Sequence, residues 1–333
     1  SLCFPEETLF FALHTDRNDG HHYIPELYRR GVRNFVVENV PNNFSDLYKH
    51  ANFLKVGNTL AALQQLTTFH RKAFNIPIVG ITGSNGKTMV KEWLSQLFSY
   101  DMNVTRSPKS YNSQIGVPLS LWLLNENSQI GLIEAGISKV GEMQALHDII
   151  MPTVGVLTSI GTAHQENFSS LKEKCNEKLL LFKGTQALIY RLDDKIAANC
   201  VAETCYDGEL LAWSEHDTTA AFYVERIEKS NTTSTIHYIW KHSIHGNFIL
   251  PFIDDASISN CITCAVVALY FGIQPEVLAQ RMVKLEPVAM RLEVKEGQHG
   301  MCMGACDRNT LPSLGRDREG LLGEVMCKLR SEG

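Results

Sequence analysis

The segment 82–88, which reads TGSNGKT, has the residue types of a phosphate-binding loop. An apolar run at 76–81 precedes it and apolar residues recur at helical spacing over 88–100, so it joins a predicted strand to a predicted helix. At such a junction unpaired amides and the helix dipole bind an anion, and glycines allow its close approach. Lys87 supplies a positive charge for the β- and γ-phosphates, and Thr88 supplies a hydroxyl for Mg²⁺. The segment therefore predicts a nucleoside triphosphate site, although the first glycine of the strict GxxxxGK[ST] pattern is displaced by one residue.

Two further polar side chains stand at predicted buried strands. Glu134 lies inside the apolar run 131–137, and His164 follows the run 153–160. In a parallel sheet the carboxyl ends of the strands form the ligand crevice, where the phosphate loop also lies. Without that loop, we would interpret Glu134 as an ion-paired buried carboxylate and His164 as a loop histidine. Beside it, both are candidate ligands for a metal ion that bridges phosphates.

The elements that must position these residues alternate between strands and helices, which indicates an α/β protein with a mostly parallel sheet. A helix predicted at 171–182 carries Lys172, Lys174 and Lys178, and a charge run of this kind is typical of a solvated face. The other predicted elements are strands at 9–13, 34–38, 131–137 and 153–160, two strands within 232–252, and helices at 24–30, 59–74, 88–100, 119–124 and 257–272.

Composition excludes several classes of protein. The 333 residues are 44% hydrophobic and 20% charged, as in ordinary globular proteins, and the net charge of -5 gives no reason to expect nucleic acid or an anionic membrane as a partner. The apolar stretches end well short of the ~20 residues that a spanning helix needs. Nine scattered cysteines are typical of a reduced, cytoplasmic protein. Cys261 and Cys264 form a CxxC within an apolar helical pattern, so we expect buried thiols rather than zinc ligands.

Several short motifs resemble those of the ATP-dependent Mur ligases. They follow one another in the family's order over roughly residues 1–296. Within this family the chain is most similar to the members that join D-alanyl-D-alanine to UDP-N-acetylmuramoyl-tripeptide, in particular the version fused to an alanine racemase. The matching motifs are LFFAL at 9–13 with DGH at 19–21, TGSNGKT at 82–88, SYNSQIGVP at 110–118, EAG at 134–136 with GE at 141–142, and TSIGTAH at 158–164.

The resemblance implies a role for each matching residue. Lys87 would hold the β- and γ-phosphates. Thr88 would bind a first Mg²⁺, with Glu134 as a further ligand, and His164 would bind a second Mg²⁺. Lys178 falls where the family has a lysine that CO₂ converts to a carbamate, which turns a cation into a metal-bridging anion.

Other family residues contact the nucleotide or the transferred phosphate. Asn112 matches the asparagine near the transferring phosphate, Asn260 matches one that contacts the nucleotide, and Arg291 matches the arginine that closes the central domain. The cofactor-binding residues implied in this way are Gly83, Ser84, Asn85, Gly86, Lys87, Thr88, Asn260 and Arg291.

The resemblance also implies the domain organisation and the reaction. Residues 1–74 would form part of an N-terminal UDP-substrate domain, 75–296 a central ATP-binding domain, and 297–333 an atypical, poorly ordered tail in place of the C-terminal ligase domain. The activity implied is ATP- and Mg²⁺-dependent amide ligation through an acyl phosphate, by a monomer without nucleic acid or membrane partners. Our hypothesis is a ligase by descent, truncated at both ends, that is catalytically incompetent as this fragment. Two alternatives stay open, a nucleotide-binding module without catalysis and a ligase like folylpolyglutamate synthetase.

Overall fold

The computed structural model describes residues 4–15, 18–161 and 167–288, together with the backbone of two short strands at Val294–Glu296 and Cys302–Gly304, which pair antiparallel. The chain divides into two compact units, Ser1–Leu63 with Pro287–Gly333, and Gln64–Glu286. The sequence-based boundary at 74–75 lies further along the chain than this division, and it stays a prediction about domains. Apart from the strand at Cys302–Gly304, the predicted tail 297–333 lies outside the described residues.

The first unit contains a small parallel sheet of strand order β1-β4-β5. Its core combines aliphatic and aromatic side chains, and the rings of Phe35 and Phe53 stack at 5.2 Å between centroids. Strand β5 was not predicted, because this short edge strand leaves three of its four residues exposed and so shows little apolar alternation. The elements are β1 (Leu9–Phe11), β2 (His14–Thr15), β3 (Asn18–Asp19), a 3-10 helix (Gly20–Tyr23), α1 (Ile24–Arg29), β4 (Asn34–Val37), α2 (Phe44–Leu47), β5 (Asn52–Lys55) and α3 (Thr59–Lys72), which continues into the second unit.

The second unit is an α/β domain with a large sheet and helices packed against it. Its strands and helices alternate over most of its length, as the sequence predicted. The elements that follow α3 are β6 (Ile78–Thr82), α4 (Lys87–Phe98), β7 (Val104–Arg106), α5 (Gly116–Leu121), β8 (Ile130–Glu134), α6 (Glu142–Ile150), β9 (Val154–Leu157), α7 (Leu171–Leu179), a 3-10 helix (Leu180–Phe182), β10 (Ala187–Arg191), α8 (Lys195–Glu203), β11 (Glu209–Ser214), β12 (Phe222–Lys229), β13 (Ser234–Trp240), β14 (Ile244–Leu250), α9 (Asp255–Tyr270) and α10 (Pro275–Met282).

Among the described residues, nine strands form one sheet in the order β14-β13-β12-β11-β10-β9-β6-β8-β7. Every neighbouring pair from β7 to β12 is parallel, and β12, β13 and β14 are antiparallel, which confirms the predicted mostly parallel sheet. Strands β6, β8 and β9 are buried along their whole length. Because β6 lies between β8 and β9, the loops that follow these three strands meet at one edge, where a doubly wound sheet binds ligands.

Helix α4 follows the phosphate loop and carries the apolar face that the sequence predicted. Val90, Trp93, Leu94, Leu97 and Phe98 are all completely buried. Helix α9 packs against α4, and its two cysteines are buried free thiols, which confirms the interpretation of the CxxC. This packing anchors the helix whose first turn ends the phosphate loop.

Several local predictions were wrong, among them the strand at 153–160, which in the structure is Val154–Leu157. Helix α5 begins at Gly116 rather than at 119, because Pro118 is tolerated in a first turn, where its missing N–H is not needed. Strand β8 ends at Glu134 instead of continuing to 137, because the Gly136 amide leaves the sheet and donates to Asn112 O at 2.7 Å. The lysines of α7 do not form a solvated face, since Lys174 and Lys178 are buried.

Candidate functional site: a phosphate loop with a buried carboxylate

The loop between β6 and α4 has a backbone that only glycine adopts easily. Gly83 has φ of +150° and Gly86 has φ of +85°. A Cβ atom on Gly86 would lie 2.4 Å from Oδ1 of Asn260, which α9 places against the loop. The sequence prediction of a strand, a glycine turn and a helix is therefore confirmed in its geometry. The first amides of a helix have no partner within that helix, and at the start of α4 they have the arrangement that binds a phosphate.

The segment after β9 holds this loop in place. The Ser84 amide donates to Ser159 O at 2.6 Å, and the Thr158 hydroxyl donates to Asn85 O at 2.5 Å. The Gly161 amide donates to Ser84 Oγ at 2.9 Å. The backbone of the loop is thus fixed by polar contacts to the neighbouring strand end, which orders its amides before any ligand binds.

Lys87 lies at the first position of α4, and its side chain folds back over the loop. Its Nζ donates to the carbonyl oxygens of Gly83 at 2.8 Å and Ser84 at 3.2 Å. These contacts hold the ammonium group above the loop amides. A phosphate bound there would meet a positive charge and several N–H donors together.

A second cluster surrounds Glu134, which is completely buried at the last position of β8. Its Oε2 accepts hydrogen bonds from Thr88 Oγ1 at 3.2 Å and from Asn112 Nδ2 at 3.5 Å. Its Oε1 forms an ion pair with Lys91 Nζ at 3.0 Å. The sequence offered two interpretations of Glu134, a buried ion pair and a metal ligand beside the phosphate loop. In the structure, Oε1 of Glu134 forms the ion pair with Lys91, and Oε2 lies against the Thr88 hydroxyl.

The oxygen atoms of this cluster suit a magnesium ion. Mg²⁺ prefers hard oxygen ligands and, at nucleotide sites, uses one or two carboxylates together with phosphates and water. The Thr88 hydroxyl and Glu134 Oε2 supply two such oxygens next to the phosphate loop. In the described part of the chain, no three His, Cys, Asp or Glu side chains gather into a metal cluster. The arrangement fits a metal ion that would be bound partly by these protein oxygens and partly by the phosphates of a nucleotide.

Helix α7 contributes two buried lysines close to the site. Lys174 Nζ donates to Gly161 O at 2.6 Å, and so holds the segment that pins Ser84. Lys178 is 3% exposed, and burial, together with the charges of Lys87 and Lys174, lowers the pKa of Lys178 to about 7. Its amine is therefore partly neutral at physiological pH, which is the nucleophilic form of a lysine.

The structure brings together most of the residues that the sequence singled out. Asn112 contacts Glu134, Asn260 contacts the glycine loop, and Lys178 lies within electrostatic reach of Lys87. The residues gathered in this way are Gly83, Ser84, Asn85, Gly86, Lys87, Thr88, Asn112, Glu134, Lys178 and Asn260. His164 and Arg291 lie outside the described residues, so their proposed roles stay predictions.

Sequence reasoning overlooked residues that support the site. Lys91 and Thr158 were assigned no role and Lys174 was expected on a solvated face, although each is buried and bonded to a site residue or its neighbour. Lys91 stands four residues after Lys87, one helical turn away, and that spacing was the available signal. A lysine at this spacing on an otherwise apolar face needs a buried partner.

Among the described residues, the helices lack the length and hydrophobicity that crossing a bilayer requires.

Comparison with protein families gives one match inside the second unit. The family model of the Mur ligase middle domain matches residues 81–268, more than half of the chain. This interval contains the phosphate loop, Glu134 and Asn260. The family whose motifs the sequence resembled is therefore found independently over the elements that build the site.

Curated relatives include proteins named UDP-N-acetylmuramoyl-tripeptide–D-alanyl-D-alanine ligase. The one from Bacillus subtilis is 28% identical over 303 residues, which cover 89% of this chain and 63% of that protein. The one from Synechocystis is 36% identical over 156 residues, 47% of this chain and 34% of that protein. The chain thus spans less than two thirds of the length of these relatives.

Solved structures with the same fold include two MurF enzymes. MurF from Acinetobacter baumannii has a TM-score of 0.76 at 21% identity and covers 89% of this chain and 64% of that chain. MurF ligase from Thermotoga maritima in complex with ADP has a TM-score of 0.75 at 23% identity and covers 87% of this chain and 66% of that chain. At these identities the likeness shows the fold. With the match to the middle domain over more than half of its length, the chain belongs to the Mur ligase family.

Proposed function

We propose that this chain is the substrate-binding and ATP-binding part of a ligase that joins D-alanyl-D-alanine to UDP-N-acetylmuramoyl-tripeptide. The observation that carries the proposal is the phosphate loop with Thr88, Asn112 and Glu134 at one sheet edge, inside a Mur ligase middle domain. The names of the curated relatives support this choice of substrates. ATP as cofactor is supported by the ADP bound to the Thermotoga relative.

The reaction activates a carboxylate. The terminal carboxylate of the tripeptide attacks the γ-phosphorus of ATP, so a C–O–P bond forms and ADP leaves with the electrons of the broken bond. The amine of D-alanyl-D-alanine then attacks the acyl carbon, its nitrogen loses a proton, and the tetrahedral intermediate expels phosphate with the electrons of the broken C–O bond. The first step is difficult because two anions, the carboxylate and the phosphates of ATP, must approach each other. Positive groups must offset their repulsion.

The residues of this chain bind and orient the reactants. The loop amides and Lys87 hold the β- and γ-phosphates, and Asn112 donates an N–H near the transferred group. Thr88 and Glu134 would hold Mg²⁺, which neutralises charge on the phosphates when it is bound. His164 is proposed as a ligand of a second Mg²⁺, and Asn260 and Arg291 as nucleotide contacts.

Lys178 is proposed as a lysine that CO₂ carbamylates. The chemistry requires a neutral amine, whose lone pair attacks CO₂ while one proton leaves. A buried lysine with a pKa of about 7 supplies that form at neutral pH. The product is an anion, which relieves the repulsion among Lys87, Lys174 and Lys178.

A cytoplasmic location and a monomeric state complete the proposal. The substrates are a nucleotide-linked sugar peptide and a dipeptide, and the many free cysteines suit a reducing compartment. Gel filtration with light scattering would measure the mass of the chain in solution. A species of twice the chain mass would contradict the monomer.

The deciding experiment measures phosphate release from Mg-ATP in the presence of UDP-N-acetylmuramoyl-tripeptide, with and without D-alanyl-D-alanine. Release that depends on the dipeptide supports the ligase. Release that depends instead on a folate and glutamate supports a folylpolyglutamate synthetase and contradicts the proposed substrates. ATP binding without any release supports a nucleotide-binding module and contradicts the ligase activity for this chain.

A further inference from the structure

The proposed nucleotide site has a buried charge beside it that the reaction does not use. Lys91 lies on α4 one turn after Lys87 and is completely buried. A buried ammonium group is costly unless oxygen atoms surround it. Its neighbours are all oxygens: Glu134 Oε1 at 3.0 Å, Glu92 Oε1 at 3.0 Å, Ser107 O at 2.7 Å and Lys109 O.

These contacts divide the two oxygens of Glu134 between different partners. Oε1 faces Lys91, while Oε2 faces Thr88 Oγ1 at 3.2 Å and Asn112 Nδ2 at 3.5 Å. A carboxylate on a flexible side chain could otherwise rotate and present either oxygen. The charge of Lys91 attracts Oε1, which leaves Oε2 as the oxygen presented to the phosphate loop.

Lys91 also attaches the loop 107–115, which carries Asn112, to the same point. The carbonyl oxygens of Ser107 and Lys109 both accept from Lys91, and Ser107 Oγ accepts from the Glu134 amide at 3.1 Å. The start of this loop, the end of β8 and the first turns of α4 therefore share one ammonium group.

The charges around Lys91 indicate that it orients Glu134 and does not itself attract the metal ion. A positive charge next to a cation site weakens cation binding by Coulomb repulsion. The neighbouring Glu92 offsets that charge, and Glu92 in turn pairs with Arg106, its Oε2 lying 2.9 Å from Arg106 Nε. Two cations and two carboxylates thus alternate without a net charge.

We propose that Lys91 is a positioning residue, which orients Glu134 and the loop of Asn112 for binding Mg²⁺ with the nucleotide phosphates. This inference rests on the proposed function, since it assumes that Glu134 binds the metal ion. Partners that orient a metal-binding carboxylate typically contribute 10- to 100-fold to metal affinity.

The test is a double-mutant cycle on the complete 333-residue chain. A fluorescent ATP analogue is titrated with Mg²⁺ in the wild type, Lys91→Met, Glu134→Gln and the double variant, and the half-saturating Mg²⁺ concentration is measured for each. We expect Lys91→Met to raise that concentration about 10- to 100-fold. The double variant should need more Mg²⁺ than Glu134→Gln by only a part of the Lys91→Met effect, because Lys91 acts largely through Glu134 and to a smaller extent through the loop of Asn112.

Controls separate orientation from folding. Arg71 is another buried cation of the same unit. It donates to the carbonyl oxygens of Phe74, Ile150 and Met151, none of which belongs to the phosphate loop. Arg71→Met should lower the melting temperature and leave the Mg²⁺ dependence unchanged.

Lys91→Arg keeps the charge and the reach to the carboxylate, so it should restore most of the Mg²⁺ affinity. If Lys91→Met does not fold, the double variant, which removes both charges, is still compared with Glu134→Gln.

The outcomes distinguish this inference from the proposed function. An unchanged or lower half-saturating Mg²⁺ concentration in Lys91→Met, with an effect in Glu134→Gln, overturns the inference and leaves the metal site intact. A double variant worse than Glu134→Gln by the full effect of Lys91→Met also overturns it. No effect in Glu134→Gln overturns the metal role of Glu134, and the inference with it.

Discussion

Three lysines on two helices determine the electrostatics of the site at the scale of single residues. Lys87 at the start of α4 and Lys174 and Lys178 on α7 bring positive charges together around the loop after β9. Burial and this repulsion both favour the neutral form of Lys178, whose pKa falls to about 7. The same concentration of charge favours the binding of an anion.

The lowered pKa of Lys178 predicts how stability depends on pH. Between about pH 7 and the ordinary lysine value of 10.5, the unfolded chain holds a proton on this amine that the folded chain lacks. The free energy of unfolding should therefore rise with pH in this window, relative to Lys178→Met, by up to about 1.4 kcal/mol per pH unit. Below pH 7 both states are protonated, and the difference from the variant should be constant.

Urea unfolding from pH 6 to 9.5 in CO₂-free buffer measures this difference. Lys172→Met is the matched control on the same helix, because Lys172 is exposed and its hydrogen bond to Glu203 raises the pKa of Lys172. That control should run parallel to the wild type below pH 10. Parallel curves for Lys178→Met would contradict the lowered pKa.

Lys87→Ala should abolish ATP binding and leave the fold intact. The variant removes the positive charge over the loop amides, while the backbone contacts that order Ser84 are retained. Isothermal titration with Mg-ATP should show an affinity weaker by at least about 100-fold, the scale expected when a charge-assisted hydrogen bond and its electrostatic support are removed together. Circular dichroism should match the wild type, and Lys172→Ala serves as the control. Unchanged affinity would refute the phosphate-loop assignment.

At the scale of elements, the site depends on a turn that joins β6 to α4 and on a helix, α9, packed behind it. The side chain of Asn260 on α9 lies so close to Gly86 that an added Cβ atom would displace it. The left-handed backbone at Gly86 is a second constraint on the same residue. The conformation of the loop thus depends on a packing contact as well as on its own glycines.

Gly86→Ala and Gly184→Ala separate these two constraints. Both glycines have positive φ, +85° and +74°, so each alanine should lower stability by about 1–2 kcal/mol. Only at Gly86 does the added methyl group meet Asn260, whereas nothing lies within 4 Å of Gly184. We expect ATP affinity to fall at least about 10-fold (~1.4 kcal/mol) in Gly86→Ala and to stay at the wild-type value in Gly184→Ala. Equal affinities, measured by titration calorimetry beside thermal melts, would contradict the close packing at the loop.

At the scale of the whole molecule, the residues proposed to bind ATP that the structure describes all belong to the second unit. Ligand binding slows amide exchange where it suppresses local opening. Mg-ATP should therefore slow hydrogen exchange in peptides that cover 80–90, 107–115 and 130–137. Peptides from 9–55 in the first unit should respond instead to UDP-N-acetylmuramoyl-tripeptide.

Mass-spectrometric hydrogen exchange with each ligand separately measures this division. A control titration with AMP, which lacks the β- and γ-phosphates, should leave the peptides at 80–90 unprotected. Protection by Mg-ATP confined to 9–55 would contradict the assignment of the nucleotide site to the second unit.

The sequence by itself determined the phosphate loop, the α/β pattern, the buried face of α4 and the family, because all of these are encoded by short segments. A glycine turn between an apolar strand and an amphipathic helix is a local pattern, and so is the apolar periodicity of α4. Glu134 was found in the same way, as a carboxylate in an apolar run.

Only the tertiary structure decided the partners of these residues, because partners come from distant segments. Lysines 172, 174 and 178 follow one charge pattern along α7, yet Lys174 and Lys178 are buried, since packing rather than local charge decides which side of a helix faces solvent. The contact of Lys91 with Glu134 joins α4 to the end of β8, and it depends on the sheet order β9-β6-β8, which no local pattern encodes. The pKa of Lys178 likewise follows from burial and from charges on another helix, and so it required the fold.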